Sequence, residues 1–422
     1  MPLLLGCIAD DFTGATDLAG MLVRAGMRTV QMIGVPRGPL PDDVDAAVIA
    51  LKSRTSAPAQ AVDESLAALE RLREAGCRQF YFKYCSTFDS TDAGNIGPVT
   101  DALMDALGTD FTIACPAFPE NKRTIFKGHL FVGDVLLSES GMRDHPLTPM
   151  TDANLARVLQ RQTRRKVGLI DHATVAAGAV AIRQRIAALR AEDTGIAIVD
   201  AVCNDDLMRI GAACADLPLV TAGSGIALGL PQNFRAAGLL GDGAAADTLA
   251  FPQGLRAILS GSCSVATNAQ VAHFIEQGGA AYAIDPLRLA AAEDVVGEAL
   301  EWAQSKLQDG PPLIYATASP DSVKATQARL GVERAGALIE EALAAIAEGL
   351  VVRGVRRMLV AGGETSGAVV TALGAHGLRI GPQIDPGVPW TVTLGGEPLA
   401  LALKSGNFGS TDFFTKAWEL LA

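Results

Sequence analysis

Arg357-Met358-Leu359-Val360-Ala361-Gly362-Gly363-Glu364-Thr365-Ser366-Gly367-Ala368-Val369-Val370 runs from an apolar stretch through two glycines into an amphipathic one. It reads as strand, tight loop and helix. Adjacent glycines permit positive φ and close approach of backbone to a ligand, and Thr365 or Ser366 is placed to cap a helix whose first amides point back into the loop. Such a turn attracts an anion, most often a phosphate. Taken alone, a Gly-Gly pair is more often a plain strand-to-helix turn. Two further glycine/serine loops follow apolar runs in the same half: Ile258-Leu259-Ser260-Gly261-Ser262-Cys263-Ser264 and Leu401-Ala402-Leu403-Lys404-Ser405-Gly406-Asn407-Phe408-Gly409-Ser410. Three such loops at strand ends point to one crevice, the place where open α/β sheets bind nucleotides.

Working outward, 422 residues exceed what one core usually holds, so two domains are expected. Hydrophobic residues make up 49%, charged residues 19%, and there are 44 glycines, a composition that suits a soluble α/β enzyme with many tight turns. The net charge of −11 argues against nucleic acid as the main partner. Seven scattered cysteines without a CxxC suggest neither a zinc site nor a disulfide framework, and point to a reduced, cytoplasmic setting. The apolar start, Met1 to Ala9, lacks a basic flank and runs straight into Asp10-Asp11, so it reads as a first strand rather than a signal peptide. No window has the roughly 18 apolar residues needed to span a bilayer.

Strand and helix patterns alternate from that first strand onward. Ala15, Leu18, Ala19, Leu22 and Val23 form the stripe of a helix packed on a sheet. Strands are expected at 29–35, 46–51, 79–83, 111–115, 166–170, 196–201 and 219–221, with a helix over 58–75. The second half repeats the pattern, with strands near 255–259, 282–284, 313–316, 358–361, 391–394 and 399–403 and helices over 266–277, 287–306 and 335–352. Pro231 to Pro252 lacks firm periodicity and marks the boundary. The fold class is therefore α/β, with two domains at 1–235 and 250–422, each a mainly parallel sheet flanked by helices. Long polar loops at 84–99, 116–132 and 145–150 are of the kind that carries function.

No Walker A pattern is present, and Gly223-Ser224-Gly225 is followed by a glycine only at Gly229, so no dinucleotide fingerprint is present either. The N-terminal half instead offers charges at strand ends: Asp10 and Asp11 after the first strand, Lys83 and Asp89 after another, Arg123 and His129 after a third. Carboxylates and cations sharing one crevice suit a small polyhydroxy anion. Each has a plainer reading. Asp11 is as well placed to cap a helix, Asp89 to cap a turn, Lys83 and Arg123 to be solvated, and His129 and His145 to be structural.

Ala9-Asp10-Asp11-Phe12-Thr13-Gly14-Ala15, Lys83-Tyr84-Cys85-Ser86-Thr87-Phe88-Asp89-Ser90-Thr91, Gly94-Asn95-Ile96-Gly97-Pro98-Val99, Pro116-Ala117-Phe118-Pro119-Glu120-Asn121, Gly223-Ser224-Gly225, Gly362-Gly363-Glu364-Thr365-Ser366-Gly367 and Lys404-Ser405-Gly406-Asn407-Phe408-Gly409 together resemble the four-carbon acid sugar kinase family over nearly the whole chain. The resemblance implies an N-terminal sugar-acid-binding domain and a C-terminal ATP-binding domain, neither of them a P-loop fold. Gly381 to Trp390 with Leu403 to Gly409 looks most like the 3-oxo-tetronate kinase subgroup; D-threonate, L-threonate and D-erythronate are the alternative substrates. Carried over by position, it implies ATP contacts at Ser260, Gly362, Gly363, Glu364, Thr365 and Gly406. Asp11 is the expected group that accepts or orients the hydroxyl proton. Lys83 and Arg123 are expected as cations for the acid or the transferring phosphoryl, and Asp10, Asp89 and His129 as substrate contacts. Magnesium is implied by ATP, with no ligand set assigned, and a homo-oligomer is compatible with the family. Competing readings are a dehydrogenase using the glycine loops and a two-domain sugar-acid sensor without turnover, though no DNA-reading segment is visible.

Overall fold

The computed structural model describes residues 3–145, 147–241 and 246–421, so Met1, Pro2, Pro146 of the 145–150 loop and residues 242–245 of the expected linker lie outside the described residues. The chain forms two compact units, Met1–Asp247 and Thr248–Ala422.

The first unit contributes β1 (Leu5–Ala9), β2 (Thr29–Ile33), β3 (Ala46–Ala50), β4 (Gln79–Lys83), β5 (Thr112–Cys115), β6 (Arg123–Phe126), β7 (His129–Val132), β8 (Val135–Leu136), β9 (Lys166–Ile170), β10 (Thr194–Val199) and β11 (Leu219–Ala222). Its main sheet runs β2-β3-β1-β4-β11-β5-β10-β9, every pair parallel. β1, β3 and β4 are buried along their whole length, which explains why they read as continuous apolar runs. The chain leaves β1 for β2, returns through β3, and then crosses to β4 on the other side of β1. That reversal opens a crevice at the carboxyl ends of β3, β1 and β4.

The second unit supplies β12 (Leu255–Ser260), β13 (Ala281–Ala283), β14 (Leu313–Tyr315), β15 (Val355–Ala361), β16 (Gly377–Asp385), β17 (Val388–Thr393) and β18 (Ala400–Lys404). Its order is β13-β14-β12-β15-β18-β17-β16, parallel through β18 and antiparallel for the last two pairs. An aromatic core of Phe274, Trp390, Phe413, Phe414 and Trp418 docks the C-terminal segment on this sheet. Both indole N–H groups are satisfied, Trp390 donating to Ala417 O and Trp418 to Phe414 O, each at 2.8 Å.

Several expectations change. The 116–132 loop is in fact largely a β-hairpin, β6 and β7, turning at Lys127-Gly128 with φ of 52° and 72°; two consecutive positive values make the primed turn that matches strand twist. The helix expected over 287–306 is two, Pro286–Ala290 and Val295–Gln304, with Ala292 at φ 59° between them. Pro231–Ala236 is helical despite its weak periodicity, held by Asn233 donating to Gly211 O at 2.8 Å. β16 and the helix Pro320–Leu330 were not anticipated.

The helix Asn204–Ala213 lies in backbone contact with the turn Gly225–Gly229: a Cβ on Gly211 would sit 2.4 Å from Gly229 C. Gly211→Ala should therefore destabilise the protein by about 1–3 kcal/mol in urea unfolding, where a helix-interior glycine otherwise gains from the change. An increase in stability would show that the two backbones are not in contact.

Candidate active site

Strand order brings together residues that the chain separates. Asp10 and Asp11 follow β1, Lys83 ends β4, and Arg54 lies in the loop after β3. The backbone locks them: Asp10 N donates to Lys83 O at 3.1 Å, while Ser53 N and Arg54 N donate to Asp10 O at 3.0 and 3.1 Å. Asn95, from the loop after β4, clamps the Arg54 loop by donating to the carbonyls of Ser53, Arg54 and Ser56 at 2.7, 3.2 and 2.9 Å.

Arg54 grips Asp10 with two nitrogens, Nε to Oδ2 at 2.9 Å and Nη2 to Oδ1 at 2.8 Å, and Nη2 also reaches Asp11 Oδ1 at 2.5 Å. Lys83 Nζ donates to the same Asp11 oxygen at 3.2 Å. Asp11 Oδ2 accepts from Thr13 Oγ1 at 3.0 Å and Gly14 N at 3.1 Å, so Asp11 caps its helix and forms the ion cluster at once. Asp89 completes the rim, 3.9 Å from Arg54 and accepting from Thr87 at 2.6 Å. Lys83, 4% exposed, is no solvated surface cation.

Burial alone would raise the pKa of Asp11, but Arg54 and Lys83, with the Gly14 amide, outweigh it and hold the carboxyl below its usual range. For Asp10 burial wins over Arg54, and its pKa is raised. Asp17, buried in the second turn of the same helix, is pushed up to about 6 by burial. Lys83 is desolvated, yet Asp11 and Asp10 raise its pKa and keep it charged.

Arg123 and His129 are not joined to this cluster by any hydrogen bond or ion pair described. Arg123 donates to Asn121 O, and its buried Nε has no partner among the described residues; the amide nitrogen of Asn121 is likewise unpartnered. His129 Nδ1 bonds with Lys127 O at 2.9 Å, within its own hairpin. Arg54 escaped the sequence reading because only the loops after three strands were weighed; the same reasoning applied after β3 would have found it.

In the second unit, β12, β15 and β18 are neighbours, with Ser260 level with Ala361 and Ala361 level with Lys404. Their three glycine loops consequently meet at one edge. Gly261 N and Ser262 N donate to Ala361 O at 3.0 and 3.2 Å, and Gly362 N donates to Lys404 O at 2.9 Å. The packing is close at two of these glycines: a Cβ on Gly261 would lie 2.2 Å from Thr365 Oγ1, and one on Gly406 2.5 Å from Ser262 Oγ, so a side chain at either would force those hydroxyls to move. Gly362, at φ 127°, is itself the N-cap of the helix Gly363–Ala372, which corrects the expectation that Thr365 or Ser366 caps it. That helix starts at Gly363 with no capping side chain, and Glu364 lies exposed in its first turn. The Ser260 hydroxyl is turned inward to Thr317 Oγ1 at 2.6 Å.

A cavity of about 430 Å³ lined by Leu3, Arg37, Pro39, Arg71 and Glu74 contains none of these residues.

A carboxylate and cation crevice on one sheet, and a glycine and hydroxyl cradle on the other, are two sites of different chemistry. Families described as the sugar-binding N-terminal domain and the nucleotide-binding C-terminal domain match residues 5–230 and 257–414. The chain belongs to the four-carbon acid sugar kinase family. Among similar members, a Pseudomonas fluorescens protein named 3-oxo-tetronate kinase is 64% identical over 99% of this chain and 97% of its own length. A Burkholderia multivorans protein of the same name is 65% identical over the same shares. The crystal structure of a Haemophilus influenzae protein, 48% identical, superposes with a TM-score of 0.81 over 99% of this chain and 100% of that one. In a family of this organisation the first unit is the sugar-binding side and the second the nucleotide-binding side.

A Cβ on Gly14 would fall 1.8 Å from Lys83 Nζ and 2.1 Å from Asp11 Oδ1. Gly14→Ala must therefore push the ammonium out of the cluster. Sugar-acid-dependent ADP release should drop at least tenfold while ADP affinity stays unchanged, measured by coupled assay and calorimetry. Full turnover in that variant would show that Lys83 need not sit beside Asp11.

Proposed function

We propose that the protein is an ATP-dependent kinase that transfers the γ-phosphoryl group of ATP to the terminal 4-hydroxyl of 3-oxo-tetronate. The single observation that carries the substrate is that relatives at 64% and 65% identity over nearly the full length bear that name. The geometry supports the reaction class. The hydroxyl oxygen bonds to the γ-phosphorus, the bond to the bridging oxygen breaks, and ADP leaves with the electron pair while the hydroxyl proton is released. Phosphoryl transfer asks mainly for positioning and charge neutralisation.

In this reading Asp11 orients the acceptor hydroxyl. Arg54 and Lys83 keep it ionised and weakly basic, so it takes the proton only late in transfer. Asp10, Asp89 and Lys83 frame the hydroxyl end of the acid. Arg123 supplies the cation for the substrate carboxylate, where its unpartnered Nε and the Asn121 amide are donors in want of an acceptor, and His129 lines the same hairpin. The loops at Ser260, Gly362, Gly363, Glu364, Thr365 and Gly406 take the nucleotide, their close-packed glycines giving the phosphates access to backbone amides.

Magnesium brought by the nucleotide would supply charge neutralisation at the phosphates. Among the described residues no group of three or more His, Cys, Asp or Glu is gathered to hold a metal by itself. No described helix is long and apolar enough to cross a membrane, and we place the enzyme in the cytoplasm, where ATP and reduced thiols are found.

ADP release measured across 3-oxo-tetronates, D-threonate, L-threonate and D-erythronate tests the assignment. A 3-oxo-tetronate should have the highest kcat/KM; a threonate or erythronate in first place would overturn the substrate, and release with none of them would overturn the reaction. Asp11→Asn preserves the cap but removes the anion, and turnover should fall about a hundredfold to ten-thousandfold. Near-normal turnover would leave Asp11 as a helix cap alone.

A further inference from the structure

Lys404 closes β18 at the nucleotide loops and is fully buried. Its ammonium donates to Thr267 Oγ1 at 2.9 Å, Gly406 O at 3.0 Å and Ser405 O at 3.2 Å. All three acceptors are neutral. The titratable and charged groups on the elements around it are Cys263, His273, Glu276, Arg356, Arg357, Glu364, Arg379, Asp385, Asp412 and Lys416; Glu276 is exposed, and Arg356 and Arg357 sit at the far end of β15 from Ala361, which is level with Lys404. Lys416 holds Asp385 at 2.5 Å and lies 3.8 Å from Asp412, and Glu364 has interactions of its own. No carboxylate pairs with Lys404 among the described residues. Lys83, the other buried lysine at a strand end, has Asp11 beside it. A buried ammonium without an anion costs several kcal/mol and is rarely retained for packing alone.

The loop it holds is fastened with unusual thoroughness. Gly406 O accepts from Lys404, from Ser264 Oγ at 2.5 Å and from Thr267 Oγ1 at 2.8 Å. Gln270 Nε2 donates to the carbonyls of Phe408, Gly409 and Ser410, each at 3.0 Å. With the carbonyls of Gly406, Phe408, Gly409 and Ser410 all accepting hydrogen bonds from side chains, the loop conformation is fixed before any ligand arrives.

We propose that Lys404 is the positioning residue of the nucleotide site, fixing the Ser405–Gly409 loop through Gly406 and lacking its counter-charge until the nucleotide phosphates supply it. This rests on reading the second unit's loops as the nucleotide site. Burial brings the Lys404 ammonium down to about 7, so in the free protein above neutral pH it is mostly uncharged. An arriving polyphosphate stabilises the charged form, and binding takes up a proton. ADP affinity then falls as pH rises from 7 towards 9, by up to about tenfold per unit.

Calorimetry of magnesium ADP at pH 8, in two buffers of different ionisation enthalpy, reads that proton directly, because phosphates titrating near about 6 are already ionised. Wild-type protein should take up about one proton. Lys404→Met should take up none, bind ADP at least tenfold more weakly, and keep its affinity for the sugar acid. Normal ADP binding by the wild type without proton uptake, or ADP affinity in Lys404→Met within twofold of wild type, overturns the role of Lys404 and leaves the nucleotide site standing. Absence of ADP binding by the wild type overturns the nucleotide site, and this inference with it. Should Lys404→Met fail to fold, the wild-type proton count alone decides.

Discussion

Two adjacent carboxylates at the end of a buried strand repel one another and resist leaving water, and the sugar-binding unit is arranged around relieving that conflict. Arg54 reaches both carboxylates and Lys83 reaches the second, each cation delivered by a strand hydrogen-bonded to β1. Removing one member of such a cluster strands a partly buried charge, at a typical cost of about 3–5 kcal/mol that residual solvent access at Arg54 and Asp11 reduces. This explains why so much backbone is committed to the spot: Asn95 clamps the Arg54 loop, Asp10 anchors it through its own carbonyl, and Gly14 leaves the space that Lys83 occupies.

The nucleotide-binding unit solves the opposite problem. Backbone carbonyls and hydroxyls fix the loop at Gly406, the Lys416–Asp385 pair holds its far end through Ser410, and one buried lysine has neutral partners only among the described residues. A site built from dipoles and a lone cation is complementary to a polyanion. A site built from balanced ions is complementary to a small polyhydroxy anion.

Much of this was legible in the residues. The alternation of apolar runs and amphipathic stripes, the glycine loops at three strand ends, and the placing of Asp10, Asp11, Lys83 and Asp89 after strands all rest on local periodicity and turn chemistry, which operate within a few residues. The hairpin at Lys127-Gly128 was legible too, in its alternating flanks and its glycine, but its positive-φ lysine made the turn easy to overlook.

What the sequence by itself determined is the inventory: two α/β units, the residue types available at each strand end, and the glycines that let backbone come close. Only the tertiary structure decided which of those ends meet. Arg54 lies 43 residues from Asp11 in the chain and belongs to the same site because β3 and β4 flank β1. Arg123 and His129 follow a strand end of the same kind and are not bonded to that cluster, because β5 lies beyond β11 in the sheet. Lys404 looks in sequence like any lysine beside a glycine loop, and only packing shows it buried with no carboxylate paired to it among the described residues. Strand order and burial are properties of the whole sheet, whereas sequence patterns report a segment's own neighbours.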